Sequence, residues 1–342
     1  MEREPKCERA KNMSSFNIQG GRALSGEAVC QGSKNSSLPI LAACILSERM
    51  IVLENVPALT DVDATLKILS FLGCKTVREG NTLSLDPSGV SGGAVPDHLM
   101  REMRSSVIFL GALLARTGRA VLSSPGGCEI GLRPIDLHLD AMEKLGATVI
   151  NEAGKIECAA PQGLTGAQIV LSFPSVGATE NVMIAASTAR GVTVIRNAAR
   201  EPEISDLADF LNAMGANVRG AGESTIVVEG VKKLHGAHHT VIPDRIAGAT
   251  LLAAGAVTGG CVRVKGLIPA HLSPVLDVFE RAGNEIEIGS DAVTLRAPKR
   301  LSGVKTVRTM PYPGFPTDIQ PPVTAMLSIA QDTSVVIETI FE

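Results

Sequence analysis

The chain has 342 residues, of which 45% are hydrophobic and 20% are charged, and this is enough to build about two domains with apolar cores. Thirty-two basic and thirty-five acidic residues leave a net charge of −3, and with no Trp and one Tyr this argues against a nucleic-acid-binding protein. The longest apolar runs, residues 38–46 and 107–115, are far shorter than the about 18 residues of a membrane-spanning helix.

Cysteine and histidine usage favours a cytoplasmic protein without a metal site. Residues 1–12 lack the apolar stretch of a signal peptide. The seven cysteines are odd in number and scattered, and none forms a CxxC pair, as is typical of reduced proteins. The six histidines lack the spacing of metal ligands, so no metal is expected.

One pattern occurs five times along the chain: a polar start, a helix of small apolar residues, a turn and a β-branched strand. The small residues predict helices that pack closely inside each unit. The copies begin at Lys34, Arg104, Thr179, Arg245 and Asp318.

A second pattern follows four of these copies, about seventy residues apart: an amphipathic helix, a glycine and a strand. Each glycine suits the position after a helix C-terminus, where φ is positive. The glycines are Gly73, Gly146, Gly215 and Gly283. The unit is therefore helix, strand, helix, strand, with further short strands in NTLSLDP and STIVVEG. Because the fifth unit stops after its first strand, we expect that a segment is missing.

The helix starts carry the polar residues Lys34, Asn35, Arg104, Thr179 to Asn181, Asp244, Arg245 and Asp318. If these helices point their N-termini to one centre, their dipoles and the cations form an anion site. Alternatively these residues only cap helices, as Asn35, Thr179 and Asp318 could do. The segment QGSKNSS lacks the Gly-Lys pair of a Walker A loop.

Cys128 lies in the stretch PGGCEIGLRP, where two glycines precede it and Arg133 follows. Buried cysteines usually act as small hydrophobic residues. Here the loop-forming and charged neighbours favour an accessible thiol, and a nearby guanidinium would favour the thiolate. We therefore predict a proton donor or nucleophile.

Seven motifs, in order, carry a resemblance to a known family. They are GSKNSSLPILAA, MRSS, PGGCEIGLRPIDLHL, SVGATEN, NAAREPEISDLADFLNAMGA, PDRIAGAT and PGFPTDIQ. Together they resemble the UDP-N-acetylglucosamine 1-carboxyvinyltransferases, a family of enolpyruvyl transferases, from about residue 16 to residue 342. The resemblance implies transfer of the enolpyruvyl group of phosphoenolpyruvate to the 3′-hydroxyl of UDP-N-acetylglucosamine, with release of phosphate and without a cofactor. This is the first committed step of peptidoglycan synthesis in the cytoplasm, and serves cell-wall formation, cell shape and cell division.

The resemblance also implies an α/β fold, the inside-out α/β barrel of enolpyruvyl transferases, built from repeated βαβαββ units. One domain would cover residues 34–242 and carry Cys128. The second would join residues 13–33 to 243–342 and lack its last one and a half repeats. Residues 1–12 would be a leader ahead of Met13, where MSSFNIQGG resembles the usual start of the family.

Single residues acquire roles by the same resemblance. Cys128 would protonate C3 of phosphoenolpyruvate or form a covalent adduct with it, and would be the target of fosfomycin. Asp318 would accept the proton of the sugar hydroxyl. Lys34 and Arg133 would hold the phosphate and carboxylate of phosphoenolpyruvate, and Asn35 would position both substrates. Positions that match contacts to the UDP-sugar are Arg104, Arg133, Pro134, Ile135, Asp136, Leu137, Ser175, Val176, Gly177 and Ile340.

Three alternatives stay open at this point. The family continues beyond residue 342 with another arginine of the phosphoenolpyruvate site, so we expect this chain to be poorly stable or inactive without that part. It would then be an inactive fragment or a non-catalytic UDP-sugar-binding relative. The sibling enzyme, 5-enolpyruvylshikimate-3-phosphate synthase, shares the fold, but the PGGC loop and SVGATEN favour the UDP-sugar branch.

Overall fold

The computed structural model describes residues 17–91, 94–102, 106–123, 135–152 and 155–341. Within these residues the chain forms an initial strand followed by five similar units. The strand and the first unit are β1 (Ser25–Val29), α1 (Lys34–Ala43), β2 (Ile51–Glu54), α2 (Thr60–Phe71), β3 (Lys75–Glu79) and β4 (Thr82–Asp86).

The second and third units repeat this order. The second comprises α3 (Asp97–Glu102), α4 (Phe109–Thr117), β5 (Arg119–Ser123), α5 (Asp136–Lys144), β6 (Thr148–Glu152) and β7 (Lys155–Ala159). The third comprises β8 (Gln168–Val170), α6 (Val176–Ala186), β9 (Val192–Arg196), α7 (Pro202–Ala213), β10 (Asn217–Arg219) and β11 (Thr225–Glu229).

The fourth and fifth units occupy the last third of the chain. The fourth comprises β12 (His238–Thr240), α8 (Arg245–Val257), β13 (Cys261–Lys265), α9 (Ser273–Arg281), β14 (Glu285–Ile288) and β15 (Ala292–Arg296). The fifth comprises β16 (Thr306–Arg308), a 3-10 turn (Thr317–Ile319), α10 (Gln320–Leu327) and β17 (Val335–Ile337). Short 3-10 turns also occur at Cys44–Leu46, Pro87–Gly89, Ser106–Ile108 and Pro269–Leu272.

The predicted repeat is confirmed, including the short strands in NTLSLDP and STIVVEG, which are β4 and β11. Helices α1 and α8 begin at the predicted residues, Lys34 and Arg245. Helix α6 begins at Val176, three positions before the predicted Thr179, because Ser175 caps its first turn.

The four repeat glycines end their helices as predicted. Their φ angles are 97°, 93°, 94° and 93° for Gly73, Gly146, Gly215 and Gly283. At each, the glycine N–H bonds the carbonyl three residues back, and the next N–H bonds the carbonyl five residues back, as Cys74 does with Leu69. This is the Schellman arrangement, which satisfies the last helical carbonyls and directs the chain into the following strand.

The four-stranded sheets share one internal order. An added strand pairs in parallel with the strand that follows the first long helix of a unit, and two further strands of that unit follow antiparallel, as in β12-β2-β4-β3 and β8-β9-β11-β10. In β5-β7-β6 a single parallel bridge between Ala94 and Val121 takes the place of the added strand. Strands β16 and β17 also pair in parallel.

Two of these added strands cross between the halves of the chain. Strand β1 precedes the first unit but pairs with β13 of the fourth, and β12 follows the third unit but pairs with β2 of the first. The two connecting segments run side by side, since Ser33 N–H bonds Ile242 O at 2.8 Å and Asp244 N–H bonds Gln31 O at 2.9 Å. The chain therefore crosses twice at one place, next to the starts of α1 and α8.

Apolar side chains form two clusters on either side of this crossing. The first cluster contains side chains from residues 38–241, and the second contains Cys30 and side chains from residues 249–327. Helices α1 and α6 are buried on all sides from residue 36 to 43 and from residue 178 to 186, which agrees with the prediction of small, closely packed helices. No helix in the described ranges is long and apolar enough to span a bilayer.

Candidate active site

A cleft of about 540 Å³ opens at the double crossing, between the starts of α1 and α8 and the turn before α10. Its lining combines charged helix starts with aliphatic side chains. The lining residues are Val29, Gln31, Lys34, Asn35, Leu59, Asp244, Ile246, Ala247, Thr250, Leu251 and Asp318. The predicted residues Lys34, Asn35 and Asp318 therefore lie together.

Lys34 is the first residue of α1, and no acidic residue occupies the first turn of this helix. The N-cap is Ser33, whose hydroxyl accepts a hydrogen bond from the Ser36 N–H. The Lys34 Nζ lies 3.2 Å from Asp61 Oδ2, and their side chains are 42% and 35% exposed. Such an exposed ion pair contributes little to stability, so an anionic ligand can replace Asp61 without a large penalty.

A buried carboxylate ties the two helix starts together. Asp244 caps α8 by accepting hydrogen bonds from the N–H groups of Ile246 and Ala247 at 2.9 and 3.0 Å. Its second oxygen accepts from the Lys34 N–H at 3.1 Å. Burial and then the charge of Asp244 raise the pKa of the neighbouring Cys30 thiol to about 11, so that this thiol stays protonated at neutral pH.

Asp318 lies in the 3-10 turn before α10 and is exposed to the cleft. Its Oδ2 accepts a hydrogen bond of 3.4 Å from the Asn35 side-chain amide. An exposed carboxylate with one amide partner keeps lone pairs free to accept a proton from a ligand hydroxyl. The arrangement can therefore perform general-base chemistry next to a cation.

The other predicted contact residues lie at the starts of α5 and α6. Ile135, Asp136 and Leu137 open α5, and Ser175, Val176 and Gly177 open α6. The two helices pack against each other in the first half of the chain. None of these six residues lines the cleft described above. Ile340 follows β17 and is half-buried, with its N–H donating to Glu338 at 2.7 Å.

The α5 and α6 starts are joined by a buried histidine. His138 Nδ1 lies 2.8 Å from the Asn181 amide nitrogen, which also donates to Val107 O at 3.0 Å. An amide nitrogen is a donor only, so Nδ1 is the acceptor and the ring proton is on Nε2. Burial lowers the pKa of His138 to about 4 and keeps the ring neutral.

Arg245 does not serve as an open anion-binding group, in contrast to the prediction that it joins the other cations at one centre. Its guanidinium forms two hydrogen bonds with the Glu203 carboxylate, at 3.0 and 3.2 Å, and both side chains are almost fully buried. The guanidinium also lies over the Tyr312 ring, 5.6 Å from its centroid. Burial, followed by the charges of Glu203 and Glu201, raises the pKa of nearby Glu180 well above its usual range.

The alternative interpretation, in which Asn35, Thr179 and Asp318 cap helices, is wrong. The caps of α1 and α6 are Ser33 and Ser175, each of which accepts a hydrogen bond from the first turn, and the N-cap position of α10 is Ile319, which makes no side-chain hydrogen bond. Thr179 lies one turn inside α6 and is fully buried, and its hydroxyl donates a hydrogen bond of 2.8 Å to Ser175 O. Asn35 and Asp318 are therefore free of capping and face each other instead.

Sequence reasoning missed a second buried carboxylate beneath the site. Asp206 accepts hydrogen bonds from the Ser36 hydroxyl, from His239 Nε2 at 2.8 Å and from the Ile242 N–H at 3.3 Å. It thereby fixes the first turn of α1 against α7 and the crossing segment. A signal was available, because Glu203 and Asp206 occupy the same face of α7 as the buried Phe210.

Four predicted residues, Arg104, Cys128, Arg133 and Pro134, lie outside the described residues, as does the predicted leader 1–12. In the part of the chain that the structure describes, no three His, Cys, Asp or Glu side chains are grouped so as to hold a metal ion.

The family model for EPSP synthase (3-phosphoshikimate 1-carboxyvinyltransferase) matches residues 18–342. Over 330 residues the chain is 50% identical to UDP-N-acetylglucosamine 1-carboxyvinyltransferase 2 of Caldanaerobacter subterraneus subsp. tengcongensis, and the match covers 96% of this chain and 79% of the relative. It is also 50% identical to UDP-N-acetylglucosamine 1-carboxyvinyltransferase 1 of Symbiobacterium thermophilum, and that match covers 95% of this chain and 75% of the relative.

Solved structures agree with this grouping. The enolpyruvyl transferase NikO from Streptomyces tendae matches with a TM-score of 0.83 at 26% identity, covering 94% of this chain and 76% of the other. EPSP synthase from Acinetobacter baumannii matches with a TM-score of 0.67 at 18% identity, covering 93% and 74%, and supports the fold alone. The predicted enolpyruvyl transferase fold is confirmed. By sequence and by structure, the chain belongs to the EPSP synthase family of enolpyruvyl transferases, and its relatives at 50% identity are UDP-N-acetylglucosamine 1-carboxyvinyltransferases.

Proposed function

We propose that this chain transfers the enolpyruvyl group of phosphoenolpyruvate to the 3′-hydroxyl of UDP-N-acetylglucosamine, with release of phosphate. The observation that supports this most directly is the meeting of Asn35 and Asp318, 3.4 Å apart, beside Lys34 in one cleft. A base, an amide donor and a cation are three of the groups that this addition requires from the side chains of the site, and a proton donor is the fourth. The names of the relatives at 50% identity supply the acceptor.

Asp318 takes the proton of the sugar hydroxyl as the hydroxyl oxygen bonds to C2 of phosphoenolpyruvate. Its exposure on the cleft lets the hydroxyl approach within hydrogen-bonding distance, and the Asn35 amide holds the carboxylate in one orientation. Cys128 supplies the proton that C3 gains in this addition, or forms a covalent adduct with phosphoenolpyruvate first. Loss of a proton from C3 and departure of phosphate then restore the double bond.

Lys34 and the start of α1 receive the phosphate of phosphoenolpyruvate, together with Arg133. The Lys34 ammonium already pairs with a carboxylate, Asp61, at 3.2 Å, which indicates that an anion fits this place. The N-terminal amides of α1 carry a partial positive charge that adds to the attraction. Neutralisation of the departing phosphate lowers the barrier to elimination.

Closure of the cleft excludes water from the reaction. Leu59, Ile246 and Leu251 give the lining an apolar part, and the two hydrophobic clusters on either side support a division into two domains, residues 34–242 and residues 13–33 with 243–342. A water-free site protects the reaction from hydrolysis. We further propose that the reaction serves peptidoglycan synthesis in the cytoplasm, and that fosfomycin inhibits it at Cys128.

The test is phosphate release from phosphoenolpyruvate in the presence of UDP-N-acetylglucosamine, with shikimate 3-phosphate as the competing acceptor. We expect release with the UDP-sugar and none with shikimate 3-phosphate. The assay is run on this chain and on a form extended with the C-terminal part of a relative, since the relatives are longer. Release with shikimate 3-phosphate alone would contradict the proposed acceptor. Binding of the UDP-sugar without turnover by either folded form would instead identify a binding protein.

A further inference from the structure

The carboxylate of Glu338, just after β17, collects donors from separate parts of the chain. Its Oε1 accepts from the Thr309 hydroxyl at 2.8 Å and from the Ile340 N–H at 2.7 Å, with the Phe341 N–H at 3.3 Å. Its Oε2 accepts from the Thr317 hydroxyl at 2.9 Å. Burial raises the pKa of Glu338, but these hydrogen bonds outweigh it and the net shift is downward, so the group is ionised at neutral pH.

Thr317 is the residue that makes this cluster relevant to the cleft. It opens the 3-10 turn that contains Asp318, and its hydroxyl donates to Glu338. Glu338 thus anchors the turn through Thr317, the residue before Asp318. The Asp318 carboxylate itself stays free to accept the hydrogen bond from Asn35.

Thr309 completes the link on the other side. It is fully buried just after β16, pairs with Phe315 through a bridge, and accepts a hydrogen bond of 2.8 Å from the Thr339 N–H. Because Thr309 also donates to Glu338, the chain segments before the turn and after β17 are fixed to one carboxylate. Ile340, a predicted contact of the UDP-sugar, is bound to the same oxygen.

We propose that Glu338 is a positioning residue for the transfer reaction: it holds the turn carrying Asp318 and the backbone at Ile340 in one fixed relation. This inference rests on the proposed function, in which Asp318 is the base. A carboxylate suits the task because it only accepts hydrogen bonds and offers two oxygens to the converging donors. A displacement of about 1 Å at a general base is enough to lower the rate considerably.

The variants are chosen to separate positioning from stability. Thr317→Val removes one hydrogen bond to the turn and keeps the shape of the side chain. Glu338→Ala removes all of the bonds, while Glu338→Gln keeps an acceptor oxygen, and its amide can donate to the Thr317 hydroxyl. Glu287→Ala, at an exposed position in β14, is the matched control.

We expect T317V to lower kcat about tenfold with KM for the UDP-sugar unchanged, and E338A to lower kcat further and raise that KM. E338Q should recover most of the loss, and E287A should behave as wild type. In an Asp318→Ala background, E338A should lower kcat by less than twofold, because its effect acts through Asp318. Losses that multiply in the double variant would overturn the proposal.

A second readout does not depend on turnover. Amide hydrogen exchange of the segment 315–320 should be faster in T317V and E338A than in wild type and E287A, since the turn loses its anchor. Unchanged exchange there would overturn the positioning role. If wild type releases no phosphate, the proposed function fails, and faster exchange with weaker UDP-N-acetylglucosamine binding in E338A would still support the anchor at Glu338.

Discussion

The side-chain amide of Asn35 donates a hydrogen bond of 3.4 Å to Asp318, although 283 positions separate the two residues in the chain. Asn35 lies at the start of α1, whose side chains belong to the first hydrophobic cluster, and Asp318 precedes α10, which packs in the second. The contact therefore crosses from one half of the molecule to the other. A site built in this way exists only when both halves are folded and close together.

Asp318→Asn should abolish most turnover and leave substrate binding intact. The amide keeps the size of the side chain but cannot accept the hydroxyl proton, so we expect kcat to fall by about 10²- to 10⁴-fold. Affinity for UDP-N-acetylglucosamine, measured by calorimetry, should change little. Asp332→Asn, at an exposed position of the same region, is the control and should retain full activity. Wild-type turnover in D318N would exclude Asp318 as the base.

Cys128→Ala should eliminate both turnover and modification by fosfomycin, while UDP-sugar binding remains. Three of the other thiols cannot substitute, because burial raises the pKa of Cys30, Cys74 and Cys158 to about 11 and leaves them protonated at neutral pH. The measurement is the mass of the intact protein after incubation with fosfomycin.

The control for this experiment is Cys261→Ala, because Cys261 is half-exposed in the second half of the chain. C261A should still gain the mass of one fosfomycin molecule and should still release phosphate. Loss of UDP-sugar binding in Cys128→Ala, in parallel with loss of turnover, would contradict a role limited to the chemical step.

The repeat and its helix ends could be predicted from the sequence because they depend on local chemistry. A glycine after an amphipathic helix is favoured wherever φ must be positive, and Gly73 and Gly283 adopt 97° and 93°. The same applies to the small-residue helices, whose composition predicts burial on all sides. Lys34, Asn35 and Asp318 came together as expected because they occupy equivalent places in repeated units.

Side-chain partners far apart in the chain could not be predicted in the same way. Arg245 is a cation at the start of a helix, and this pattern predicted a residue of the anion site. In the structure the carboxylate of the buried Glu203, from α7, neutralises its charge. Capping was misassigned for a related reason, because each helix start offers several polar residues. The sequence does not say that Ser33, rather than Asn35, lies at the N-cap of α1, or that Ser175, rather than Thr179, lies at that of α6. Such choices are decided by packing between distant segments.

Asp206→Asn should destabilise the protein by about 2–3 kcal/mol. The NH2 group of the asparagine replaces one carboxylate oxygen and would face groups that are themselves hydrogen-bond donors. The affected donors are the Ser36 hydroxyl, His239 and the Ile242 N–H. The free energy of unfolding in urea measures the effect. A decrease in kcat should accompany it, since Ser36 adjoins Asn35 in α1.

Asp209→Asn, one turn further along α7, is the matched control. Partial burial and the charge of Asp206 raise the pKa of Asp209, so its ionised form is disfavoured in the folded state. Removing that charge should leave stability at neutral pH unchanged or slightly higher. Equal destabilisation by D206N and D209N would show that the helix, rather than the buried network, responds to the loss of a carboxylate.

His138 should make the protein less stable in mild acid. Burial lowers its pKa from 6.5 to about 4, so between these values the unfolded chain binds a proton that the folded chain does not. Stability is therefore lost as the pH falls from 6.5 towards 4, by up to about 1.4 kcal/mol per pH unit from this group.

The measurement is urea unfolding at pH 7, 6 and 5, for wild type and His138→Gln. The glutamine can still accept from Asn181 but does not titrate, so the difference between the two proteins isolates the histidine. His98→Gln, at an exposed position, should retain the full pH dependence. An equally steep loss of stability in H138Q would mean that His138 binds its proton equally well in the folded and unfolded chains, which would contradict the lowered pKa.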